Sequence, residues 1–277
     1  MTAADFTNWS DLPADRPHIM GILNVTPDSF SDGGRHVDPG VAIAAGLLMA
    51  EDGASIIDVG GESTRPGAAA VSVEEEQTRV VPVIAALARA GLVVSVDTRN
   101  AATMAAALDA GAAIVNDVSG LTHDPAARPL VARRGCATVL MHMRGTPETM
   151  NAMTDYADVV RDVARELSAR VVLALAAGIP RAAIAIDPGI GFAKTGEQSL
   201  LILRGLDSFT ALGFPVLIGV SRKSFIGRLS GEADAARRLP GSLAAGLFAL
   251  SRGARILRVH DVRETAQAIR VWQALRD

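Results

Sequence analysis

Leu92-Val93-Val94-Ser95-Val96-Asp97 is the stretch on which the architecture turns. Four aliphatic residues and one serine run without polar alternation and end on a carboxylate. A strand with no polar face is covered on both sides, as in a parallel sheet flanked by helices. Working outward, the same form recurs along the chain. Residues 18–23 lead to Asn24, 55–57 to Asp58, 112–115 to Asn116, 137–141 to His142 and 182–186 to Asp187. Residues 215–220 lead to Ser221, Arg222 and Lys223, and residues 256–259 to His260.

The runs recur about every 30–35 residues, the length of one βα unit. Between them lie apolar residues at helical spacing, at 41–51, 73–89, 101–110, 125–133, 156–177, 199–212, 223–229, 239–252 and 262–275. Ser72 with Glu75 three residues on has the form of a capping box. Strand–helix alternation predicts an α/β fold. Eight units predict a (β/α)8 TIM barrel rather than an open doubly wound sheet. The 277 residues are close to the roughly 250 of one barrel, and no linker divides them. We therefore read 1–277 as one domain, with 1–17 as an N-terminal extension.

Apolar residues make up 49 % of the chain and aromatics only 4 %, so Ala, Val, Leu and Ile must pack the core. A formal net charge of −3 argues against a nucleic-acid partner, so any anion site must come from locally placed Arg and Lys. Cys136 reads as a small buried hydrophobe. No stretch approaches the roughly 20 apolar residues of a membrane span, and residues 1–17 lack the apolar segment of a secretion signal. The expectation is a cytoplasmic protein with no membrane partner.

Polar groups at the C-terminal ends of parallel strands are where a barrel keeps its chemistry. After the first strand, residues 24–34 form a long polar segment suited to an active-site loop. After the second, residues 58–67 combine glycines with Arg65, whose planar fork fits phosphate oxygens, although pairing with Glu62 explains Arg65 as well. Asp97, Asn116 and Asp187 converging on one mouth suit a flat heterocycle with several N–H donors. Asp97 alone also fits a helix N-cap. Met141 and Phe192 could cover the ring faces, or simply pack. The loops after strands seven and eight bring Arg222, Lys223, Arg258 and His260, a local anion site in an acidic chain. Arg222 also suits a salt bridge on the rim.

At these residues the chain resembles the dihydropteroate synthase family of pterin-binding barrels. Six blocks carry the resemblance: 24–34, 58–67, 95–98, 116–120, 187–194, and 221–224 with 258–261. It implies condensation of 6-hydroxymethyl-7,8-dihydropterin pyrophosphate with p-aminobenzoate, in folate biosynthesis, by a homodimer that is the family's sulfonamide target. By motif position it implies pterin contacts at Asp97, Asn116, Asp187 and Lys223, with Met141 and Phe192 as walls. It implies pyrophosphate contacts at Arg65, Arg258 and His260, and p-aminobenzoate contacts at Phe30, Thr64, Pro66 and Ser221. Asn24 is implied as a Mg²⁺ ligand, and Asp97, Asp187, Lys223 and Arg258 as the catalytic set. On this reading Arg258→Ala weakens the pyrophosphate-bearing substrate far more than free pterin.

One position departs from the family's pattern. Its frequent Gly-Phe-Gly-Lys turn reads Gly191-Phe192-Ala193-Lys194 here, and a positive φ at 193 would strain alanine. Two other classes remain open at this stage. One is a non-catalytic pterin-binding paralogue. The other is a methyltetrahydrofolate-binding methyltransferase barrel, which would not need the 24–34 loop or the anion set.

Overall fold

The structure, a computed structural model, describes residues 6–26, 38–62 and 71–276. Among them eight parallel strands build one sheet: β1 (His18–Asn24), β2 (Ile56–Gly60), β3 (Val94–Asp97), β4 (Ile114–Asp117), β5 (Ala137–Met141), β6 (Ile184–Asp187), β7 (Leu217–Ile218) and β8 (Ile256–Val259). Their order is β6-β5-β4-β3-β2-β1-β8-β7. A parallel bridge between Ile186 and Val216 joins the two ends of that list and closes the ring. The fold is the (β/α)8 barrel expected.

Ten α-helices lie among the described residues: α1 (Pro39–Glu51), α2 (Val73–Arg89), α3 (Ala101–Asp109), α4 (Ala127–Arg134), α5 (Val159–Ala176), α6 (Gly196–Arg204), α7 (Asp207–Thr210), α8 (Ser224–Ser230), α9 (Leu239–Ser251) and α10 (Val262–Ala274). Local chemistry sets their ends. Pro39 opens α1 behind an Asp38 side chain that accepts from Gly40 N–H at 2.8 Å. The stretch expected to be helical from 199 to 212 divides at Gly205 into α6 and α7. The Ser72 cap forms, accepting from Glu75 N–H at 3.2 Å, but Glu75 does not return the bond and pairs with Arg79 instead. α5 starts later than residue 156 because Asp158 caps it, accepting from Val160 and Arg161 N–H. That leaves Tyr156 outside the helix.

Two apolar layers result. One fills the space between helices and sheet, with Val80, Val83, Ile84 and Leu87 of α2 among its members. The other lies inside the ring: Met20, Ile56, Ile114, Val139, Ala185, Leu217 and Ile256, joined by Phe6, Trp9 and Leu12. Trp9 donates its indole N–H to the carbonyls of Thr138 and Ala183, at 3.1 and 3.0 Å. Part of the segment read as an extension is thus a plug in the barrel core.

Candidate active site

Strand register places the polar residues before any side chain is considered. Asn24 is level with Gly60, Gly60 with Asp97, and Asp97 with Asn116. Met141 is level with Asp187 on the neighbouring pair. The space above Gly60, where a Cβ would stand, is 3.7 Å from Asp97 Oδ2 and 3.8 Å from Asn24 Oδ1. The equivalent space at Gly219 is 3.9 Å from Arg258 Cβ and 4.0 Å from Lys223 Nζ. Asn24 and Asp97 on one side, and Lys223 and Arg258 on the other, therefore lie at the C-terminal mouth of the barrel.

Arg258 is the centre of this site. Its Nε donates to Asp58 Oδ2 and its Nη2 to Asp97 Oδ2, both at 2.6 Å. Asn116 Nδ2 donates to the same Asp58 oxygen at 3.0 Å. Asp58 was expected just past its strand. It lies within β2 instead, wholly buried, and its Oδ1 has no partner among the described residues. Burial pushes the Asp97 carboxyl up to about 7, with Arg258 opposing and Asp58 adding to the rise. The helix-cap reading of Asp97 fails, because α3 starts after Asn100.

The opposite wall belongs to β6 and β7. Burial raises the Asp187 carboxyl, with Lys223 the chief opposing charge. Its Oδ1 accepts from Gly189 N–H at 2.7 Å. Lys223 is brought down to about 8 by burial, and Asp187 works against that fall. Its Nζ donates to the Ile190 carbonyl and lies 4.7 Å from the Phe192 ring centroid. Met141, Met143, Met150, Val118 and Ala193 cluster with Phe192 beside it. Ser221 Oγ accepts from His260 N–H at 3.2 Å and lies 3.0 Å from His260 Nδ1. Arg222 pairs through Nε with Asp261 Oδ2 at 3.0 Å, the rim salt bridge anticipated for it. Burial pushes the half-buried Cys136 thiol up to about 11, which suits no nucleophile.

Phe30, Thr64, Arg65 and Pro66 lie outside the described residues. Glu62 accepts from Arg99 at 3.1 Å and from Val71 N–H at 3.4 Å. The sequence placed Asp58 and His142 at strand ends and Lys194 in a loop without giving any of them a role. Nothing in the sequence singled out Glu166, whose partner His142 is 24 residues away.

A closed barrel with buried carboxylates, an amide, a guanidinium and a lysine around one apolar-walled mouth defines an enzyme for a flat, hydrogen-bonding heterocycle. Residues 20–260 match the model of the pterin binding enzyme family. The chain is 48 % identical over 268 residues to a dihydropteroate synthase of Neisseria meningitidis serogroup C, covering 96 % of this chain and 95 % of that one. It superposes on the Xanthomonas albilineans dihydropteroate synthase solved with 4-aminobenzoic acid, with a TM-score of 0.90, 49 % identity, and 96 % and 95 % of the two chains covered. The same organism's enzyme in complex with 7,8-dihydropteroate gives a TM-score of 0.87 and 46 % identity, with the same coverage. The chain belongs to the pterin-binding enzyme family, among its dihydropteroate synthases.

Proposed function

We propose that this transferase condenses 6-hydroxymethyl-7,8-dihydropterin pyrophosphate with p-aminobenzoate, giving 7,8-dihydropteroate and pyrophosphate in folate biosynthesis. The observation that carries the reading is the meeting of Asp97, Asn116, Asp187, Lys223 and Arg258 around one buried mouth. Asp97, Asp187 and Asn116 match the N–H and carbonyl edge of the pterin. Phe192 and Met141 offer its ring faces an aromatic and a thioether surface.

The pterin CH₂–O bond breaks first, and its electron pair leaves with the pyrophosphate oxygen. Positive charge spreads from the CH₂ into the electron-rich dihydropterin, where the Asp97 and Asp187 carboxylates favour it. Arg65, Arg258 and His260 hold the departing charge. The p-aminobenzoate nitrogen, already neutral at pH 7, gives its lone pair to the CH₂ carbon and then loses a proton to solvent, so this path needs no strong general base. Phe30, Thr64, Pro66 and Ser221 form the second substrate's side. The carboxamide oxygen of Asn24 is a hard donor of the kind Mg²⁺ accepts, and such an ion commonly keeps phosphate oxygens and waters as its other ligands. When bound there, Mg²⁺ supplies Lewis-acid stabilisation of the leaving pyrophosphate.

The partner, in this reading, is a second copy of the chain. Leu201, Leu229 and Phe248 are 47 %, 66 % and 38 % exposed on α6, α8 and α9. Beside them lies an open apolar groove of about 390 Å³ lined by Leu203, Phe225, Ile226 and Ala245. Light scattering on the purified chain should give the dimer mass, and Leu229→Asp should halve it.

The activity test is direct. Purified protein, dihydropterin pyrophosphate, p-aminobenzoate and Mg²⁺ should yield 7,8-dihydropteroate by mass. Pterin binding without product would leave a pterin-binding paralogue in its place.

A further inference from the structure

Lys194 takes no part in the chemistry above, yet it is 7 % exposed at the edge of the site. Its Nζ lies 2.9 Å from His142 Nδ1, 3.0 Å from the Gly189 carbonyl oxygen and 2.9 Å from that of Phe192. An ammonium has three N–H donors and no acceptor, so these three acceptors use it completely. They come from two places: the end of β5, and the turn that carries Asp187 and Phe192.

The histidine is itself held. His142 is fully buried, and its Nε2 lies 2.9 Å from Glu166 Oε2 on α5. The ionised carboxylate only accepts, so Nε2 carries the proton and Nδ1 keeps the lone pair that Lys194 requires. Arg144 Nε holds the same Glu166 oxygen at 3.2 Å and stacks 3.9 Å over the Tyr156 ring. The Tyr156 hydroxyl donates to the Ala193 carbonyl at 3.0 Å. A second strap ties the turn to β5, from His142 N–H to the Asp187 carbonyl at 2.8 Å. The two segments are so close that a Cβ on Gly189, at φ +69°, would stand 2.0 Å from the His142 carbonyl oxygen.

We infer that Lys194 is a positioning residue: locked on His142, its ammonium holds the 187–192 turn so that the Asp187 carboxylate and the Phe192 ring meet the pterin in register. The inference rests on the pterin-transferase reading proposed above. Burial pulls the Lys194 amine well below its ordinary value, and the Asp187 charge opposes that. A methionine would fill the same space without this desolvation cost. What methionine cannot supply is the three bonds.

Lys194→Met is the first test. Its Kd for 6-hydroxymethylpterin and its KM for the pterin pyrophosphate should rise tenfold or more. Its KM for p-aminobenzoate, at saturating pterin substrate, should stay within threefold of wild type. The imidazole can also be split. The oxygen of His142→Asn falls where Nδ1 was and still accepts from Lys194, while the amide nitrogen of His142→Gln falls near Nε2 and still donates to Glu166. Pterin Kd should stay within threefold for His142→Asn and rise tenfold for His142→Gln. A folded Lys194→Met that binds pterin within twofold of wild type overturns the inference, as does equal loss in the two His142 variants, the mark of a packing role. If Lys194→Met does not fold, the His142 pair decides alone. Wild-type protein that makes no product and binds no pterin would sink the functional reading instead; a turning-over wild type with unaffected variants sinks only the positioning.

Discussion

Arg258, on β8, donates to Asp97, at the end of β3, across the barrel mouth at 2.6 Å, and its other nitrogen holds the fully buried Asp58. The family resemblance assigned this arginine to the pyrophosphate. Its contacts tie it equally to Asp97, to which the proposed function gives the pterin. Removing one member of a buried ion pair typically costs 3–5 kcal/mol, because the other charge is left uncompensated. Arg258→Ala leaves two carboxylates in that state. We therefore expect a loss of about 3 kcal/mol or more in a denaturant titration, and weaker binding of free pterin as well as of the pyrophosphate substrate. Calorimetry with both ligands checks this. Unchanged affinity for free pterin would return Arg258 to the pyrophosphate alone.

Two groups at the site titrate near neutrality, in opposite senses. The Asp97 carboxyl lies at about 7 and must be ionised to accept the pterin N–H groups. The Lys223 amine lies at about 8 and must be protonated to donate. The free-enzyme profile of kcat/KM for the pterin substrate should therefore rise through about pH 7 and fall above about pH 8. Asp97→Asn should remove the rising limb and lower the plateau. A profile flat from pH 6 to 9 would contradict both assignments.

How far the sequence reached follows from what its patterns encode. The runs read at 137–141 and 256–259 coincide with β5 and β8, although Thr138 and Arg258 lie inside them, because polar residues bound both runs closely. β7 contracts to Leu217–Ile218, since an apolar run records burial and not ladder bonding. Asp58 was misplaced for the complementary reason: a carboxylate reads as an end to a strand, but inside a barrel it can stay in the strand when Arg258 and Asn116 reach it. Arg258 lies 200 residues from Asp58, and local pattern holds no trace of such a pair. Glu166 and Lys194 escaped likewise, because their roles exist only once β5, α5 and the turn after β6 are brought together.

Ala193 adopts φ +50°, the conformation the departure from the family's turn put in question. A left-handed conformation costs an L-residue about 1–2 kcal/mol. Glycine would relieve that, but would give up a buried methyl worth about 0.8 kcal/mol and add about 0.5–1 kcal/mol of chain entropy to be lost on folding. The terms nearly cancel. Ala193→Gly should change unfolding free energy by less than about 1 kcal/mol and leave turnover intact. A loss above about 2 kcal/mol in urea would mean that the Ala193 side chain, 1 % exposed among Met141, Met143 and Met150, packs more tightly than this balance allows.

The buried His142–Glu166 pair contributes stability that acid removes. Burial brings the His142 imidazole down to about 4, from an ordinary 6.5. Hydrogen bonding, first from His142, holds the Glu166 carboxyl below its usual range. As pH falls from about 6.5 towards 4, the unfolded chain takes up a proton on His142 that the folded chain refuses, so stability drops. The shift in the imidazole corresponds to a loss of order 3 kcal/mol across that window. Glu166 acts in the same direction below about pH 4.5, and the two are not summed because they titrate as a pair. The raised Asp97 carboxyl works the other way in the same window, since the folded chain takes up its proton from about pH 7 downward. The test is therefore the difference: between pH 7 and 5 the melting temperature of the wild type should fall relative to that of His142→Asn, which has no imidazole to protonate. Parallel declines in the two proteins would place the acid sensitivity elsewhere, with His18 the next candidate because burial lowers its imidazole too.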